Sequence, residues 1–212
     1  MEKETLESLV DILIPGDENG PGALEGGVVE FIDHRLAGQY GNNGRMYMRG
    51  PFIQPGIEDA IEVEGIEYPN GSPSPRMGAG TYYQYPISLR EFWKLGISYL
   101  NEYTNKEHDE DFRDLEDEEK TRVLGELWDN KPNNFKGPMP REFFHELYNL
   151  VVAGFFADPI YHGNKEMVGW KLLAFPGVSN ALETGYTKKQ LATLPELVKI
   201  EPKSLSDIQE GE

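Results

Sequence analysis

Residues 154–177, GFFADPIYHGNKEMVGWKLLAFPG, form the stretch of this 212-residue chain that constrains its fold most strongly. An apolar helical pattern ends before Asp158, a turn is predicted at residues 162–164, and a short helical run ends near Trp170. Aromatic side chains are concentrated here, namely Phe155, Phe156, Tyr161, Trp170 and Phe175. Such residues are enriched in protein cores and at interfaces. The stretch predicts a packing or binding element, because it offers no nucleophile with a base, no metal cluster and no phosphate loop.

Working outward, hydrophobic residues recur at three- and four-residue spacing in five segments, which predicts five main amphipathic helices. They span residues 5–14, 27–37, 88–103, 118–131 and 141–156. Pro15 stops the first helix, and Ser88 with Glu91 forms a capping box that opens the third. The last helix is hydrophobic around much of its circumference, so it is predicted to lie at the centre of the bundle.

Between the second and third helices, residues 38–86 are rich in Gly, Pro, Tyr and Asn. A loop of this length inside a compact domain is usually functional or partly disordered, and its aromatic content argues against disorder. We expect an extended arm laid over this chain's own helices or over another subunit. Residues 178–212 are more polar and form either a partly ordered tail or a strap that docks on a partner.

The predicted fold is therefore mostly α, a single-domain helical bundle of about five main helices spanning residues 1–177. It carries the long aromatic, Gly/Pro-rich loop at residues 38–86 and is followed by the C-terminal tail or strap at residues 178–212.

The composition of the chain argues against several classes of binding partner and site. Acidic residues number 37 against 20 basic ones, a formal net charge of −17. This charge repels phosphate backbones and anionic lipid head groups, so binding to nucleic acid or to a membrane surface is not expected. The chain has no cysteine, which excludes disulfides, thiolate zinc sites and iron–sulfur ligation by this chain. No window reaches the roughly 20 apolar residues of a membrane span.

Catalytic residue sets are also missing from the sequence. The four histidines are scattered, at His34, His108, His145 and His162. His145-Glu146 begins a pattern typical of zinc proteases, but Asn149 stands where the second histidine is required. The acidic segment 105–117 is interpreted as a solvated loop pinned by Phe112 and Leu115 rather than as a metal cluster. No catalytic, cofactor-binding or metal-binding residue is predicted.

Several motifs together resemble one family. The helix ending in Gly-Phe-Phe-Ala-Asp-Pro-Ile-Tyr, followed by Gly-Asn, Met-Val-Gly-Trp-Lys and Phe-Pro-Gly, is similar to the C-terminal signature of the gluconate 2-dehydrogenase subunit 3 family. Further agreement lies at Ile14-Pro15 and at residues 26–33, 49–52 and 86–92. The resemblance runs from about residue 6 to residue 177 and keeps the family's motif order.

The resemblance implies a small, non-catalytic subunit of a flavin-dependent dehydrogenase complex that oxidises sugars, sugar acids or alcohols. A large subunit of the glucose–methanol–choline type would hold FAD, and a multihaem cytochrome c subunit would accept the electrons where one is present. The small subunit would bind no cofactor itself and would assist folding, flavin loading and export of the large one.

The resemblance also implies an extracytoplasmic location, in the periplasm or on the outer face of a membrane. Family members often begin with a twin-arginine export signal, whereas residues 1–5 show neither a basic n-region nor an apolar h-region. Either a signal was removed, or the chain travels on its partner's signal.

The residues predicted to face the large subunit are Tyr47, Phe52, Tyr82, Tyr83, Tyr161, Asn164, Lys165 and Trp170. For the signature stretch a structural interpretation competes with this one: its aromatic residues close the core, Asp158 caps the turn and Gly163 supplies a positive φ. A different function also stays open, that of a free-standing helical protein-binding module with no dehydrogenase partner.

Overall fold

The computed structural model describes residues 2–44, 85, 87–175, 177, 202 and 204. Within this part of the chain the structure is mostly α, with six α-helices and no β-strand, which confirms the predicted fold class. The helices are α1 (Glu2–Leu13), α2 (Val28–Ala37), α3 (Leu89–His108), α4 (Asp117–Trp128), α5 (Pro140–Phe156) and α6 (Val168–Leu172). The five predicted main helices are α1 to α5, and α6 is the short helical run near Trp170.

The third helix begins where the sequence predicts and ends later. The Ser88 side chain accepts a hydrogen bond from the Glu91 amide at 3.2 Å, and the Glu91 carboxylate accepts one from the Ser88 amide at 2.9 Å. This capping box satisfies amide groups that the first turn leaves without partners. Helix α3 then continues to His108, beyond the predicted end at residue 103, and Asp109 ends it in the left-handed conformation.

The chain divides into two compact units. The first contains Met1–Ser8 and Arg35–Asn149. Its hydrophobic core is built mainly from α3, α4 and α5, and its largest fully buried side chains are Tyr85, Leu89, Phe92, Trp93, Leu100, Phe112, Leu127, Phe143 and Leu147. Trp93 and Phe143 meet edge to face, with ring centroids 5.8 Å apart. Phe112 and Leu115 are both buried, so the acidic segment is pinned as predicted.

The second unit contains Leu9–His34 and Leu150–Glu212. Its buried hydrophobic residues include Leu9, Val10, Val28, Phe31, Ile32, Val151, Phe155 and Trp170. Close packing at Gly154 joins the end of α5 to α2 within this unit. A Cβ atom at Gly154 would lie 2.7 Å from the Phe31 ring and 3.2 Å from Val28, so a larger residue there would have to displace side chains.

The first-unit part of α5 is less enclosed than the sequence suggests. Although the sequence of this helix is hydrophobic around much of its circumference, Tyr148 is 49% exposed, and Asn149 is exposed beside it. Conversely, the two carboxylates of the helix, Glu142 and Glu146, are buried. Tyrosine tolerates water at such a position, and the two carboxylates are accommodated inside because the hydroxyl groups of Tyr40 and Tyr85 donate hydrogen bonds to them.

None of the described helices is both long enough and apolar enough to cross a membrane. Most of the predicted arm lies outside the described residues, including Tyr47, Phe52, Tyr82 and Tyr83. Of the C-terminal segment only Pro202 and Ser204 are described, and both are buried.

Candidate functional site

The signature stretch folds back over the end of α5 through a capped turn. Asp158 accepts a hydrogen bond from the Ile160 amide at 3.0 Å, and Pro159 opens the 3₁₀ turn Pro159–Tyr161 with its φ already suited to a helix. His162 ends this turn in the left-handed conformation, with φ of 71°. The predicted cap at Asp158 and the predicted turn at residues 162–164 are therefore confirmed.

Gly163 has a different role from the one predicted. Positive φ angles occur at its neighbours His162 and Asn164, and Gly163 itself does not have one. A Cβ atom at Gly163 would instead overlap the carbonyl oxygen of Gly154. Glycine is needed here because two backbone segments touch, and only a residue without a side chain permits that approach.

Asn164 is fully buried, and its side chain joins two parts of the stretch. Its Nδ2 donates to the Ala157 carbonyl oxygen at 2.8 Å, and its Oδ1 accepts from the Gly169 amide at 2.8 Å. Asparagine also tolerates the left-handed φ of 48° better than most residues do. Asn164 thus ties the end of α5 to the start of α6.

Helix α6 is then fixed against α5 by Gly169 and Trp170. A Cβ atom at Gly169 would overlap the carbonyl oxygen of Phe155, so glycine again allows direct backbone contact. Trp170 is 5% exposed, and its indole Nε1 donates to the Phe156 carbonyl oxygen at 2.8 Å. That bond satisfies the indole donor in a buried position.

These contacts separate the signature residues predicted to face a partner. Asn164 and Trp170 are buried and hydrogen-bonded inside the chain, which favours the structural interpretation for both. Tyr161 is 57% exposed, and the Lys165 side chain is also exposed, although its amide donates to the Gly26 carbonyl oxygen at 2.8 Å. Tyr161 and Lys165 are the two of the four that a partner can reach.

An open cleft of about 490 Å³ lies beside α6 in the second unit. Apolar side chains form much of its wall, including Ile14, Phe155, Val168 and Leu172, and its charged lining residues are Asp17, Glu166 and Lys171. No Ser, Thr, Cys or His is among the described residues that line it. The cleft can accept an apolar side chain but presents no nucleophile with a base.

The first unit holds a buried cluster that the sequence analysis did not identify. The Tyr40 hydroxyl group donates to the Glu146 carboxylate, and the Tyr85 hydroxyl group donates to the Glu142 carboxylate at 2.5 Å. Burial raises the pKa of Glu146, while the bond from Tyr40 and the charge of Arg35 act in the opposite direction. The only sequence signal was two carboxylates one turn apart in an apolar helix, a spacing that places them on one face.

Tyr40 and Tyr85 also lie in the two described parts of the segment predicted as an arm, residues 38–44 and residue 85. The ends are tied to each other: Asn43 Nδ2 donates to the Ile87 carbonyl oxygen at 3.0 Å, and Asn43 Oδ1 accepts from the Leu89 amide at 2.8 Å. Arg90 Nε donates to the Leu36 carbonyl oxygen at 3.1 Å. The base of this segment is thus closed by side-chain bonds and anchored to successive turns of α5.

Known catalytic and metal-binding arrangements do not account for these features. Within the described part of the chain, no group of three or more His, Asp or Glu side chains is arranged to hold a metal ion. The two histidines that do meet, His34 and His162, stack with ring centroids 3.7 Å apart, and both are exposed. The hydrogen bonds and ring contacts described above are those of packing.

Comparison with known proteins identifies the family. Residues 1–177 match the family model for gluconate 2-dehydrogenase subunit 3. Among curated proteins and among solved structures, none matches this chain. The family match covers α1 to α6 and all but the C-terminal segment, so it includes the signature stretch. It also includes the cluster of Tyr40, Tyr85, Glu142 and Glu146, which we call the Tyr–Glu cluster. The chain therefore belongs to the gluconate 2-dehydrogenase subunit 3 family.

Proposed function

We propose that this chain is the accessory subunit of a flavin-dependent dehydrogenase complex. The observation that carries the proposal is the family match over residues 1–177, since the family is named for a subunit of gluconate 2-dehydrogenase and so implies a dehydrogenase partner. In this proposal the partner is a large subunit of the glucose–methanol–choline type, which holds FAD and oxidises a sugar, a sugar acid or an alcohol.

The accessory role would rest on binding equilibria. A chain that binds only the folded, flavin-loaded dehydrogenase subunit lowers the free energy of that state and leaves the unfolded state unchanged. At a concentration of 100 times the dissociation constant, the stabilisation amounts to about 2.7 kcal/mol. Assistance with folding and with flavin loading then needs no catalytic residue in this chain.

The surface of the described residues supports a role in protein recognition. Tyr161 and Lys165 project from the signature turn, where rigid contacts hold the backbone beneath them. An exposed tyrosine on a rigid backbone binds a partner at a low entropic cost, because few rotatable bonds are frozen. We include Tyr161 and Lys165 in the proposed interface and assign Asn164 and Trp170 to its support.

The proposal extends to location and to electron transfer. The complex would act outside the cytoplasm, in the periplasm or on the outer face of a membrane, and the two subunits would be exported together. Where a multihaem cytochrome c subunit is present, it would take electrons from the flavin of the large subunit.

Co-expression tests the proposal directly. The chain, carrying an affinity tag, is produced with the flavin dehydrogenase encoded nearest to its gene, and the purified material is scanned for flavin absorbance. We expect a yellow complex of both chains, and less soluble or flavin-poor dehydrogenase when the tagged chain is omitted. A dehydrogenase that is soluble, flavin-loaded and active alone, with no co-purification, would contradict the proposal and favour the free-standing binding module.

A further inference from the structure

The first unit exposes a cluster of rings that the family signature does not include. We call it the aromatic face and define it as Trp128, Phe144, His145 and Tyr148. Trp128 is 48% exposed at the end of α4, Tyr148 is 49% exposed on α5, and Phe144 and His145 are half-buried between them. Trp and Tyr side chains this exposed, both in contact with the Phe144 ring, are typical of interaction surfaces.

Contacts within the aromatic face hold it in one arrangement. The Trp128 ring meets Phe144 edge to face at 5.9 Å and lies 4.8 Å from His145, and Phe144 stacks on Tyr148 at 6.3 Å. Arg141 Nε donates to the Trp128 carbonyl oxygen at 2.6 Å, which ties the start of α5 to the end of α4. A face ordered in this way loses little side-chain entropy when it binds.

The α5 side of this face differs in charge from the rest of an acidic chain. The protein has 37 Asp and Glu residues, yet none lies at the exposed or half-buried positions of α5 between residues 141 and 149. The two carboxylates in that range, Glu142 and Glu146, are buried. Arg141 is the one cation in the range, and among the described residues it forms no ion pair. On the α4 side, the exposed carboxylate of Asp129 follows Trp128 and pairs with Lys131 at 3.3 Å, whereas the α5 side presents rings and the Arg141 guanidinium group without an exposed carboxylate.

We propose that the aromatic face is a docking surface for the dehydrogenase subunit, an inference that rests on the proposed function. The partner surface would place an aliphatic or proline side chain among the Trp128, Phe144 and Tyr148 rings. It would also offer a carboxylate to the Arg141 guanidinium group, which binds carboxylates through paired N–H donors.

Charge also argues against a second copy of this chain as the occupant. Each copy carries a net charge of −17, so two copies repel each other at long range. Moreover, a two-fold contact through this face would bring Arg141 of each copy to a surface whose α5 side has no exposed carboxylate and whose Asp129 already pairs with Lys131. A different protein that offers an apolar side chain beside an acidic residue avoids the repulsion between two copies and provides a carboxylate for Arg141.

The test measures the affinity of the purified dehydrogenase subunit for variants of this chain. Trp128→Ala combined with Tyr148→Ala should weaken binding roughly 30-fold or more, because central aromatic anchors carry much of the energy of an interface. Arg141→Gln should weaken it roughly tenfold, since it keeps an N–H donor for the Trp128 carbonyl oxygen but loses the charge. Arg122→Gln, a charge removal at an exposed position on α4, is the matched control and should bind like wild type.

Circular dichroism and melting temperature show whether each variant is folded, and Tyr148→Lys provides a second disruption at an exposed helical position. Folded face variants that bind as tightly as wild type would overturn the inference while leaving the proposed function intact. Failure of the wild-type chain to bind the dehydrogenase would overturn both. Self-association of the wild type that the face variants abolish, with dehydrogenase binding unchanged, would assign the face to a second copy and also overturn the inference.

Discussion

The Tyr–Glu cluster of the first unit and the Asn164 turn of the second unit hold buried polar groups in different ways. In the cluster, the hydroxyl groups of Tyr40 and Tyr85 donate to the buried carboxylates of Glu146 and Glu142. In the turn, a neutral amide bonds to backbone groups, and glycine allows the backbones to touch. Contacts of the first kind depend on protonation, whereas those of the second kind depend on shape. The stability of the cluster should therefore respond to pH, and the stability of the turn should respond to added side-chain volume.

The largest effect should come from adding volume at the turn. Gly163→Ala places a methyl group on the Gly154 carbonyl oxygen, which cannot move aside as a flexible side chain can. We expect a loss of roughly 4 kcal/mol in the free energy of unfolding, at the upper end for overpacking substitutions. Chemical denaturation of the wild type and of the Gly163→Ala variant measures this loss of stability.

Gly125→Ala on α4 is the matched control, because a Cβ atom there meets nothing within 4 Å. It should stabilise the protein by about 0.5–1 kcal/mol, since alanine favours a helix over glycine. Equal effects of the two substitutions would refute the account of shape-dependent packing at Gly163.

A smaller loss should follow removal of the Asn164 side chain. Asn164→Ala leaves the Ala157 carbonyl oxygen and the Gly169 amide without that amide partner and places alanine at a φ of 48°. Together these should cost about 3 kcal/mol, and the cost should not change between pH 4 and pH 7. Asn130→Ala, at an exposed residue with φ of 58°, removes only the long bond that its Oδ1 accepts from the Arg141 amide at 3.4 Å, so it should cost less, about 1–2 kcal/mol.

The Tyr–Glu cluster should instead show a pH-dependent cost. Tyr40→Phe removes a donor from a buried carboxylate and should cost about 2 kcal/mol at neutral pH, where that carboxylate is more ionised than in acid. The cost should shrink as the pH falls, because protonated Glu146 needs the donor less. Tyr148→Phe, at an exposed tyrosine, should cost little at any pH.

The raised pKa of Glu146 determines whether this residue favours folding more at low pH or at high pH. Because the folded state holds this proton more tightly than the unfolded chain, Glu146 favours folding most below its ordinary pKa of 4.5. That contribution is lost as the pH rises through the raised folded-state value. Glu146→Gln stays neutral throughout, so its stability relative to wild type should improve as the pH rises from 4 to 7. A pH-independent difference would contradict the assignment.

The smallest effect at neutral pH concerns Tyr103, whose hydroxyl group donates to Glu126 at 2.9 Å. Burial, with help from that bond, raises the pKa of Tyr103 from 10.0 to about 12. The folded state is therefore favoured below pH 10 by this group and loses that advantage as the pH rises toward 12. Tyr103→Phe should cost about 1 kcal/mol at pH 7 and should remove one late-ionising tyrosine from an ultraviolet titration. An unchanged titration curve would count against this prediction.

The sequence predicted the helices well, because hydrophobic spacing and caps are local signals. The capping box at Ser88 and Glu91 and the cap at Asp158 both depend on residues within three positions of each other. The sequence was a weaker guide to contacts between residues that are distant in the chain. The bond from Tyr40 to Glu146 spans 106 positions, and the contact of Gly163 with Gly154 depends on how the turn folds back.

Exposure was the other property that the sequence did not reveal. Helical spacing places Phe144 and Tyr148 on one face of α5, but it does not say whether that face meets a neighbouring helix or water. The aromatic face therefore emerged only once α4 brought Trp128 beside them. For the same reason Asn164 and Tyr161, three residues apart, could not be assigned to interior and surface from their order in the chain.

Hydrogen exchange of this chain, free and in complex with the dehydrogenase subunit, tests the central claim most directly. In the complex, amide exchange should slow in the peptides that carry Trp128 and in those that carry residues 141–149, which include Tyr148. Peptides of α1, whose exposed residues are mostly charged, should exchange at the same rate in both states. Unchanged exchange around Trp128 and Tyr148 in a complex that has formed, with protection elsewhere, would contradict the claim.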